Sequence, residues 1–476
     1  MADATLDTLV TGGTLATEDG AFAADVAIAN GVVVAIGAPG SLPAGRETID
    51  ATGRIVMPGV IDVHVHFREP GMTHKEDWDT GTASAALGGV TTVFEMPNTN
   101  PPVDTVAHFR LKKAAADARA HVDFGIYGLL AEHNLAELPG LAEAGVCGFK
   151  LFLGNTTGDL PCPSDGAVLE GFEIVAGLGL RCTIHAENSP VLFWRQNKMR
   201  AAGRTDVFAH LAARTDVVAV EALSRSAIFA EWTGARIHIA HESCAASLPH
   251  IRFFKARGVD MTVETLPQYL YLDAESMTQP GGEVLRMNPP IRQQANQAPL
   301  WQGLTDGAID MISTDHAPHA VEEKYNADIW NVACGFPGVQ TSLQLMLDAV
   351  AKDRLQMTDL VRLMCAAPAR AFGLYGRKGV LRPGADADLV IVDPTAEAVL
   401  GAADLASRGK VSAYEGRHVT GKPVRTMVRG RTVALDGRLT GSRGWGRIVR
   451  PDMPTPAPKN QNTTTKAILQ PHQRPW

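Results

Sequence analysis

Eight stretches of β-forming residues alternate with helical patterns along the middle of this chain, and this alternation constrains its fold more than any other feature. The stretches are rich in Val, Ile and Thr and occupy residues 60–67, 91–97, 122–130, 147–153, 181–187, 236–243, 260–267 and 308–316. Helical apolar spacing separates most of them, as in residues 106–120 and 217–232. Strands that alternate with helices form parallel sheets through right-handed crossovers. Eight such units predict a (β/α)8 TIM barrel, with a doubly wound sheet as the alternative.

The two ends of the chain share a different sequence pattern, in which short apolar runs alternate with turn residues. Near the N-terminus, residues 25–37 are such a stretch, and Asn30-Gly31 within it is typical of a tight hairpin turn. Near the C-terminus, residues 387–393 and 424–433 show the same alternation. Both ends are therefore predicted to contribute antiparallel strands to one composite β domain.

These patterns divide the chain into a barrel and a small composite β-sandwich domain built from both chain ends, an α/β fold as a whole. The barrel is predicted to span residues 58–377, and the sandwich residues 1–57 and 378–450. From residue 451 to 476 the chain is rich in Pro, Gln, Asn and Thr, a composition that buries little apolar area. We expect this tail to be disordered.

The composition of the 476 residues excludes several classes of protein. Hydrophobic residues make up 45% and charged residues 20%, as in ordinary globular proteins, and the net charge of -7 includes no basic stripe that could follow nucleic acid. Acids stand in the first seven positions, where a signal peptide carries Lys or Arg, and no apolar run is long enough to span a bilayer. Six cysteines without a CxxC pair are typical of reduced thiols. We expect a cytoplasmic protein that binds neither nucleic acid nor membrane.

Polar side chains capable of chemistry follow most of the predicted strands. The active site of a (β/α)8 barrel lies at the C-terminal ends of its strands, so these residues are predicted to converge. They are His64, His66 and Arg68 at the first strand, Asn98 at the second, Lys150 at the fourth, His185 at the fifth, His241 at the sixth and Asp315 at the eighth. Residues two apart on a strand point the same way, which places His64 and His66 on one side as ligands for one metal.

Imidazole nitrogen and carboxylate oxygen together suit zinc or manganese. With Asp315, His185 and His241, the candidate ligands number five and come from four strands. Five ligands are enough for two metal ions joined by a bridging anion. An HxH pair alone is weak evidence for a metal site. By itself, Lys150 would be interpreted as a surface or substrate-binding lysine.

Longer motifs carry a resemblance over nearly the whole chain. They are residues 57–71 (MPGVIDVHVHFREPG), 148–152 (GFKLF), 236–241 (RIHIAH), 287–292 (MNPPIR), 313–319 (STDHAPH) and 383–388 (PGADAD). These motifs resemble the amidohydrolase superfamily, in particular its dihydroorotase, allantoinase and hydantoinase branch. The resemblance implies a hydrolase acting on C–N bonds of cyclic amides. It also implies two divalent metal ions, with zinc expected, and a CO2-derived carbamate on Lys150 that bridges them.

The resemblance also assigns roles to the ligands and to the residues around them. It implies that His64, His66 and Asp315 hold one ion and that His185 and His241 hold the other, while Asp315 moves the proton during catalysis. In dihydroorotases the positions matching Arg68, Asn98 and His319 hold a substrate carboxylate, and Asn288 is a further expected substrate-binding residue. A structural salt bridge from Arg68 to Glu69 or a neighbouring acid is the alternative interpretation of that arginine.

These assignments favour a dihydroorotase, which interconverts L-dihydroorotate and N-carbamoyl-L-aspartate in pyrimidine biosynthesis. Pro267-Gln-Tyr269 departs from the Pro-His-His that many dihydroorotases carry, and residues 409–416 are rather allantoinase-like. Two alternatives therefore stay open: an allantoinase or hydantoinase that opens a cyclic ureide, and a catalytically inactive homologue used as a scaffold. Relatives of this branch are commonly dimers or tetramers, so a homo-oligomer is expected.

Overall fold

The first part of the chain consists of short strands. The computed structural model describes residues 6–155, 157–158 and 160–452. The strands are β1 (Leu6–Thr11), β2 (Thr14–Ala16), β3 (Ala21–Ala23), β4 (Asp25–Ala29), β5 (Val32–Gly37), β6 (Gly45–Asp50) and β7 (Ile55–Pro58). Between β4 and β5 both Asn30 and Gly31 have positive φ, 52° and 80°, as a type I′ hairpin turn requires. The predicted Asn-Gly hairpin is confirmed.

Nine strands form a closed ring in the middle of the chain. They are β8 (Val60–Val65), β9 (Val90–Glu95), β10 (Asp123–Ile126), β11 (Gly128–Leu130), β12 (Phe149–Phe152), β13 (Arg181–His185), β14 (Arg236–Ile239), β15 (Met261–Thr265) and β16 (Met311–Ile312). All neighbouring strands are parallel, and β10 and β11 are two halves of the third predicted strand. A bridge between Val65 and His316 closes the ring. The (β/α)8 barrel is confirmed, because a doubly wound sheet has open edges.

Helices surround the barrel strands. They are α1 (Trp78–Leu87), α2 (Val106–Arg119), α3 (Leu138–Ala144), α4 (Asp165–Leu178), α5 (Ser189–Ala201), α6 (Val207–Ala213), α7 (Asp216–Thr233), α8 (Leu248–Ala256), α9 (Pro267–Tyr271), α10 (Gln297–Asp306), α11 (Ser342–Ala351), α12 (Met357–Val361) and α13 (Ala367–Ala371). Asp77, Thr105 and Ser164 each accept a hydrogen bond from the backbone N–H three residues on. These side chains satisfy free N–H groups and so begin α1, α2 and α4.

The last strands complete a β sandwich with those at the N-terminus. They are β17 (Leu389–Leu400), β18 (Arg417–Val428), β19 (Arg431–Leu435) and β20 (Arg438–Leu439). One sheet has the order β20-β19-β18-β17-β7-β2-β3 and the other β5-β4-β1-β6. Val26, Ile28, Leu389 and Met427 are buried in the apolar core between them. The composite sandwich is confirmed; the predicted boundaries after residues 57, 377 and 450 stay predictions, and residues 453–476 of the predicted tail lie outside the described residues.

A buried ion cluster ties the sandwich to the barrel. Lys378 Nζ lies 2.8 Å from Asp123 Oδ2 on β10, 3.0 Å from Asp386 Oδ2 and 2.5 Å from Asp388 Oδ2. Lys378, Asp123 and Asp388 are all buried. A buried charge is tolerated only with partners at close range, so this lysine neutralises a group of carboxylates that would otherwise repel one another.

Lys378→Met is expected to lower the free energy of unfolding by about 3–5 kcal/mol, because Asp388 would stay buried without its counter-ion and Asp123 would keep only Arg429. Thermal and urea unfolding midpoints measure the loss. Lys352→Met is the matched control, since Lys352 pairs with Asp348 but its side chain is 57% exposed, and a surface pair contributes about 0–1 kcal/mol. Equal effects of the two substitutions would contradict a stabilising role for the cluster.

Candidate metal centre

Three of the predicted ligands meet at the C-terminal end of the barrel. Asp315 Oδ1 lies 3.3 Å from His64 Nε2 and 3.0 Å from His66 Nε2. One ligand atom from each of these residues lies within 4.8 Å of the others, and all three residues are buried. His64 is the penultimate residue of β8 and His66 directly follows the strand, so both rings point to the same side, as the HxH spacing predicts.

The other two histidines face each other beside this group. His185 Nδ1 lies 3.0 Å from His241 Nε2, and the ring centroids of His64 and His241 are 5.1 Å apart. His241 and Asp315 both have positive φ, 41° and 46°, a region that side chains other than glycine rarely adopt. Such backbone conformations cluster at functional sites, where the surrounding structure holds them in place.

Lys150 lies on β12 and is fully buried. Its Nζ has no hydrogen-bond partner among the described residues, and the surrounding charges include Glu264 and Asp315. Burial lowers the pKa of the amine to about 8. Burying an amine without a hydrogen-bond partner costs free energy. This cost is avoided if the nitrogen becomes part of an anion that binds cations. The donor set of imidazoles, carboxylate and this lysine therefore fits two divalent metal ions.

Two buried carboxylates and one amide bind the second ring nitrogen of His64, His185 and His66 and so orient these rings. Neither carboxylate was predicted from the sequence. His64 Nδ1 donates to Glu264 Oε1 at 2.5 Å, and His185 Nε2 donates to Glu187 Oε2 at 2.8 Å. His66 Nδ1 donates to Asn98 Oδ1 at 2.9 Å. The available signals were a charged residue inside the apolar strand 261–265 and a glutamate two positions after His185. Hydrogen bonds of this kind fix the tautomer of a metal-binding histidine.

Three of the four predicted substrate-binding residues border a cavity next to these ligands. The cavity has a volume of about 20 Å³ and is lined by His66, Arg68, Asn98, Thr157, Asn288, Asp315, Ala317, Cys334 and Gly335. His319 does not line the cavity but contacts Arg68, with its Nε2 3.2 Å from Arg68 Nη2. The prediction missed Thr157, Cys334 and Gly335, which come from loops that carry no strand-end motif.

Arg68 is buried and has a positive φ of 62°. Its Nε donates to Pro318 O at 3.2 Å, and its side chain borders the cavity together with Asp315. The alternative interpretation, a salt bridge to Glu69 or a neighbouring acid, is not supported: the described residues contain no ion pair of Arg68, and Glu69 Oε1 pairs with Arg119 Nη1 at 2.9 Å. The guanidinium is thus partly satisfied by protein groups, with donors left for a molecule in the cavity.

Comparison with known proteins identifies the family. Residues 53–241 match a family model described as dihydro-orotase-like, and residues 197–433 match the amidohydrolase family. An allantoinase from Rubrobacter xylanophilus is 39% identical over 448 residues, which cover 94% of this chain and 98% of that relative. This chain belongs to the amidohydrolase family. It is a hydrolase that acts on C–N bonds of cyclic amides, as its similarity to the cyclic amidohydrolase branch indicates.

Hydantoinases are similar to this amidohydrolase in both sequence and structure. An L-hydantoinase from Paenarthrobacter aurescens is 37% identical over 451 residues, covering 93% of this chain and 98% of the relative. The solved structure of an L-hydantoinase (dihydropyrimidinase) from Arthrobacter aurescens has a TM-score of 0.91 at 36% identity, covering 94% of this chain and all of that one. A D-hydantoinase from Thermus sp. has a TM-score of 0.88 at 30% identity, covering 94% and 99%. Hydantoinase-type amidohydrolases use a binuclear metal site, and the residues above are candidate ligands for one.

The prediction of a dihydroorotase, and of a place in pyrimidine biosynthesis, is wrong. Relatives at 36–39% identity over most of the chain are allantoinases and an L-hydantoinase. The prediction failed because it took Arg68 as evidence for a substrate carboxylate. A guanidinium has five N–H donors that bind a neutral carbonyl as well as a carboxylate, and here one of them already binds the carbonyl of Pro318. The relatives also disfavour the inactive scaffold.

Nothing long and apolar enough to cross a membrane occurs among the helices of the described residues. The cytoplasmic location and the homo-oligomer stay predictions.

Proposed function

We propose that this amidohydrolase opens the ring of a cyclic ureide, with allantoin as the first candidate substrate and a 5-substituted hydantoin as the second. Two divalent metal ions, Zn²⁺ in the first place, would be held by His64, His66, Lys150, His185, His241 and Asp315. The convergence of these buried donors at the C-terminal end of the barrel supports this centre. The similarity to an allantoinase and to an L-hydantoinase supports a cyclic ureide as the substrate class.

Lys150 would supply the bridging anion as a carbamate. The lowered pKa of about 8 makes about a tenth of the amine neutral at pH 7, far more than for an ordinary lysine, and only the neutral amine has a lone pair to attack CO2. The nitrogen bonds to the carbon of CO2 and loses a proton, which gives a carbamate anion. This reaction replaces an unpaired buried amine by the negative group that two neighbouring cations require.

Asp315 would carry the proton in ring opening. Two divalent cations polarise an amide carbonyl and lower the pKa of water toward neutrality. The Asp315 carboxylate borders the cavity, and burial raises its pKa, which makes it a better proton acceptor. It would take a proton from the attacking water and give it to the ring nitrogen as the C–N bond breaks, so that the amine leaves without a negative charge.

The polar wall of the cavity favours allantoin over a hydantoin with an apolar substituent. Arg68, Asn98 and Asn288 are three of its lining residues, and Arg68 is buried there without a carboxylate contact in the described part of the chain. Allantoin carries a ureido group on its ring, whose carbonyl would accept hydrogen bonds from these donors. An apolar substituent would leave them unpaired, at a cost of about 1–3 kcal/mol for each buried group. The similarity to L-hydantoinases supports the second candidate.

Steady-state hydrolysis by the zinc-loaded protein tests the proposed function. We expect turnover of allantoin, a kcat/KM at least about tenfold lower for a 5-benzylhydantoin, and no significant turnover of L-dihydroorotate. Both enantiomers of each chiral substrate should be measured separately. A preference for the benzyl substrate would move the L-hydantoinase candidate to first place. Absence of turnover for every cyclic ureide would contradict the proposed substrate class.

Arg68→Ala is expected to lower kcat/KM for allantoin by about 10–100-fold, because a hydrogen bond to a charged donor contributes about 1.5–3 kcal/mol. Unsubstituted hydantoin lacks the ureido group, so its kcat/KM should fall much less. The matched control is Arg443→Ala, which removes an arginine whose side chain is 68% exposed and pairs with Asp79. Equal losses on both substrates would show that Arg68 supports the site and does not read the substituent.

A further inference from the structure

We infer that two buried carboxylates outside the predicted ligand set, Glu264 and Glu187, are positioning residues that make the two metal sites unequal. The ion held by His64, His66 and Asp315 should bind more tightly than the ion held by His185 and His241, and should load first. This inference rests on the proposed two-metal centre. It goes beyond that centre by ranking the two ions and naming the groups responsible.

Glu264 contacts both halves of the proposed centre, the first half being His64, His66 and Asp315 and the second half His185 and His241. Its Oε1 accepts from His64 Nδ1 at 2.5 Å and from the backbone N–H of His241 at 3.0 Å. Its Oε2 accepts from His238 Nε2 at 3.1 Å, and His238 Nδ1 in turn lies 2.9 Å from Thr262 Oγ1. These bonds place a proton on Nδ1 of His64 and leave the lone pair of Nε2 directed toward the Asp315 side. His64 is therefore fixed in both tautomer and orientation.

Glu187 holds His185 in a different electrostatic setting. Its Oε2 accepts from His185 Nε2 at 2.8 Å, and the same oxygen is bound by Arg214 Nη1. The guanidinium neutralises most of the negative charge of this carboxylate. The side-chain donors to Glu264 in the described residues are instead the rings of His64 and His238. Glu264 should therefore increase the basicity of its histidine more than Glu187 does.

The two halves also differ in how completely they are formed. His66 is fixed by Asn98, so both histidines of the first half have a defined tautomer, and Asp315 adds a third ligand at 3.0–3.3 Å from both rings. The second half has His185 and His241, and Nδ1 of His241 has no partner among the described residues. Its third ligand would be the modified Lys150. The first half is preorganised for a cation, whereas the second depends on a covalent change, and preorganised ligands bind more tightly because less ordering is needed.

Graded removal of zinc from the wild-type protein tests the ranking directly. Zinc-loaded protein is dialysed against increasing concentrations of a chelator, and zinc per chain is measured by atomic emission. We expect two release steps, separated by about 10–100-fold in free zinc, with a plateau at one ion per chain. Titration of the metal-free protein with Co²⁺, followed by visible absorption, should show the same two steps in the opposite direction.

Substitutions then connect each step to a carboxylate. Glu264→Gln should shift the tighter step by about 10–100-fold toward weaker binding, the usual effect of losing a group that orients a ligand. Glu187→Gln should shift the weaker step and leave the tighter one in place. Asp348→Asn is the matched control, because Asp348 is equally buried but binds Lys352 and the backbone of Thr420, and it should leave both steps unchanged.

The outcomes separate this inference from the proposed function. The ranking is overturned if both zinc ions leave in a single step. It is also overturned if Glu264→Gln shifts the weaker step and not the tighter one. Either result leaves the two-metal centre intact. A wild-type protein that binds fewer than two ions overturns the centre and the ranking together. Should Glu264→Gln fail to fold, judged by circular dichroism of the metal-free protein, Glu264→Asp shortens the same side chain, and the wild-type release steps still decide the ranking.

Discussion

Asp315→Asn is expected to lower kcat for ring opening by about 10³-fold or more. The substitution removes the carboxylate that would accept and return the proton, a contribution of about 10²–10⁴-fold in rate. It also places an amide where an oxygen now lies 3.0 Å from His66 Nε2 and 3.3 Å from His64 Nε2. Steady-state kinetics on allantoin, or on the best cyclic ureide found, measures the loss.

Zinc per chain must be measured on the same samples, because Asp315 is both a proposed ligand and the proposed proton carrier. Asp348→Asn controls for the loss of a buried acid elsewhere in the protein and should retain wild-type kcat. If Asp315→Asn keeps two zinc ions and its kcat falls less than tenfold, another group moves the proton. If activity and zinc are lost together, a zinc titration to saturation separates the two roles of this carboxylate.

Lys150→Met should have opposite effects on activity and on the stability of the metal-free protein. Activity should fall by about 10³-fold or more, about 4 kcal/mol in barrier height, because the bridging anion cannot form. The metal-free protein should become more stable, since a thioether replaces a buried amine that has no hydrogen-bond partner in the described residues. The measurements are kcat, zinc per chain and the thermal midpoint after chelation.

Lys112→Met provides the contrast for this prediction. Lys112 is also fully buried, but its Nζ pairs with Glu95 and donates to Met96 O at 2.6 Å. Removing it should therefore destabilise the protein, because the buried Glu95 carboxyl would lose its ion-pair partner. A metal-free Lys150→Met protein that is less stable than the wild type would contradict an unpaired amine at this position. Full activity in that variant would contradict the carbamate.

The convergence of five of the predicted ligands could be anticipated from the sequence because the barrel itself brings them together, whereas the role of Lys150 was implied only by the family resemblance. Strand periodicity and apolar runs are local signals, and eight of them implied that the C-terminal ends of the strands share one face. His64, His66, His185, His241 and Asp315 each lie at or near the end of such a run, so their convergence required no knowledge of side-chain packing, whereas Lys150 lies inside the run 147–153. The composite sandwich was likewise visible as the same strand pattern at both ends of the chain.

Contacts that depend on packing across the barrel were not visible in the sequence. Glu264 lies 200 residues from His64, and no spacing rule connects a glutamate inside one strand to the back of a histidine on another. The partners of Arg68 come from residues 318 and 319, and no spacing rule predicts these contacts from the sequence around Arg68. The sequence by itself determined which residues meet at the C-terminal end of the barrel, because strand order and strand length set their positions. Only the tertiary structure decided how each is oriented and charged, because those properties arise from side chains far apart in the chain that pack within a few ångströms.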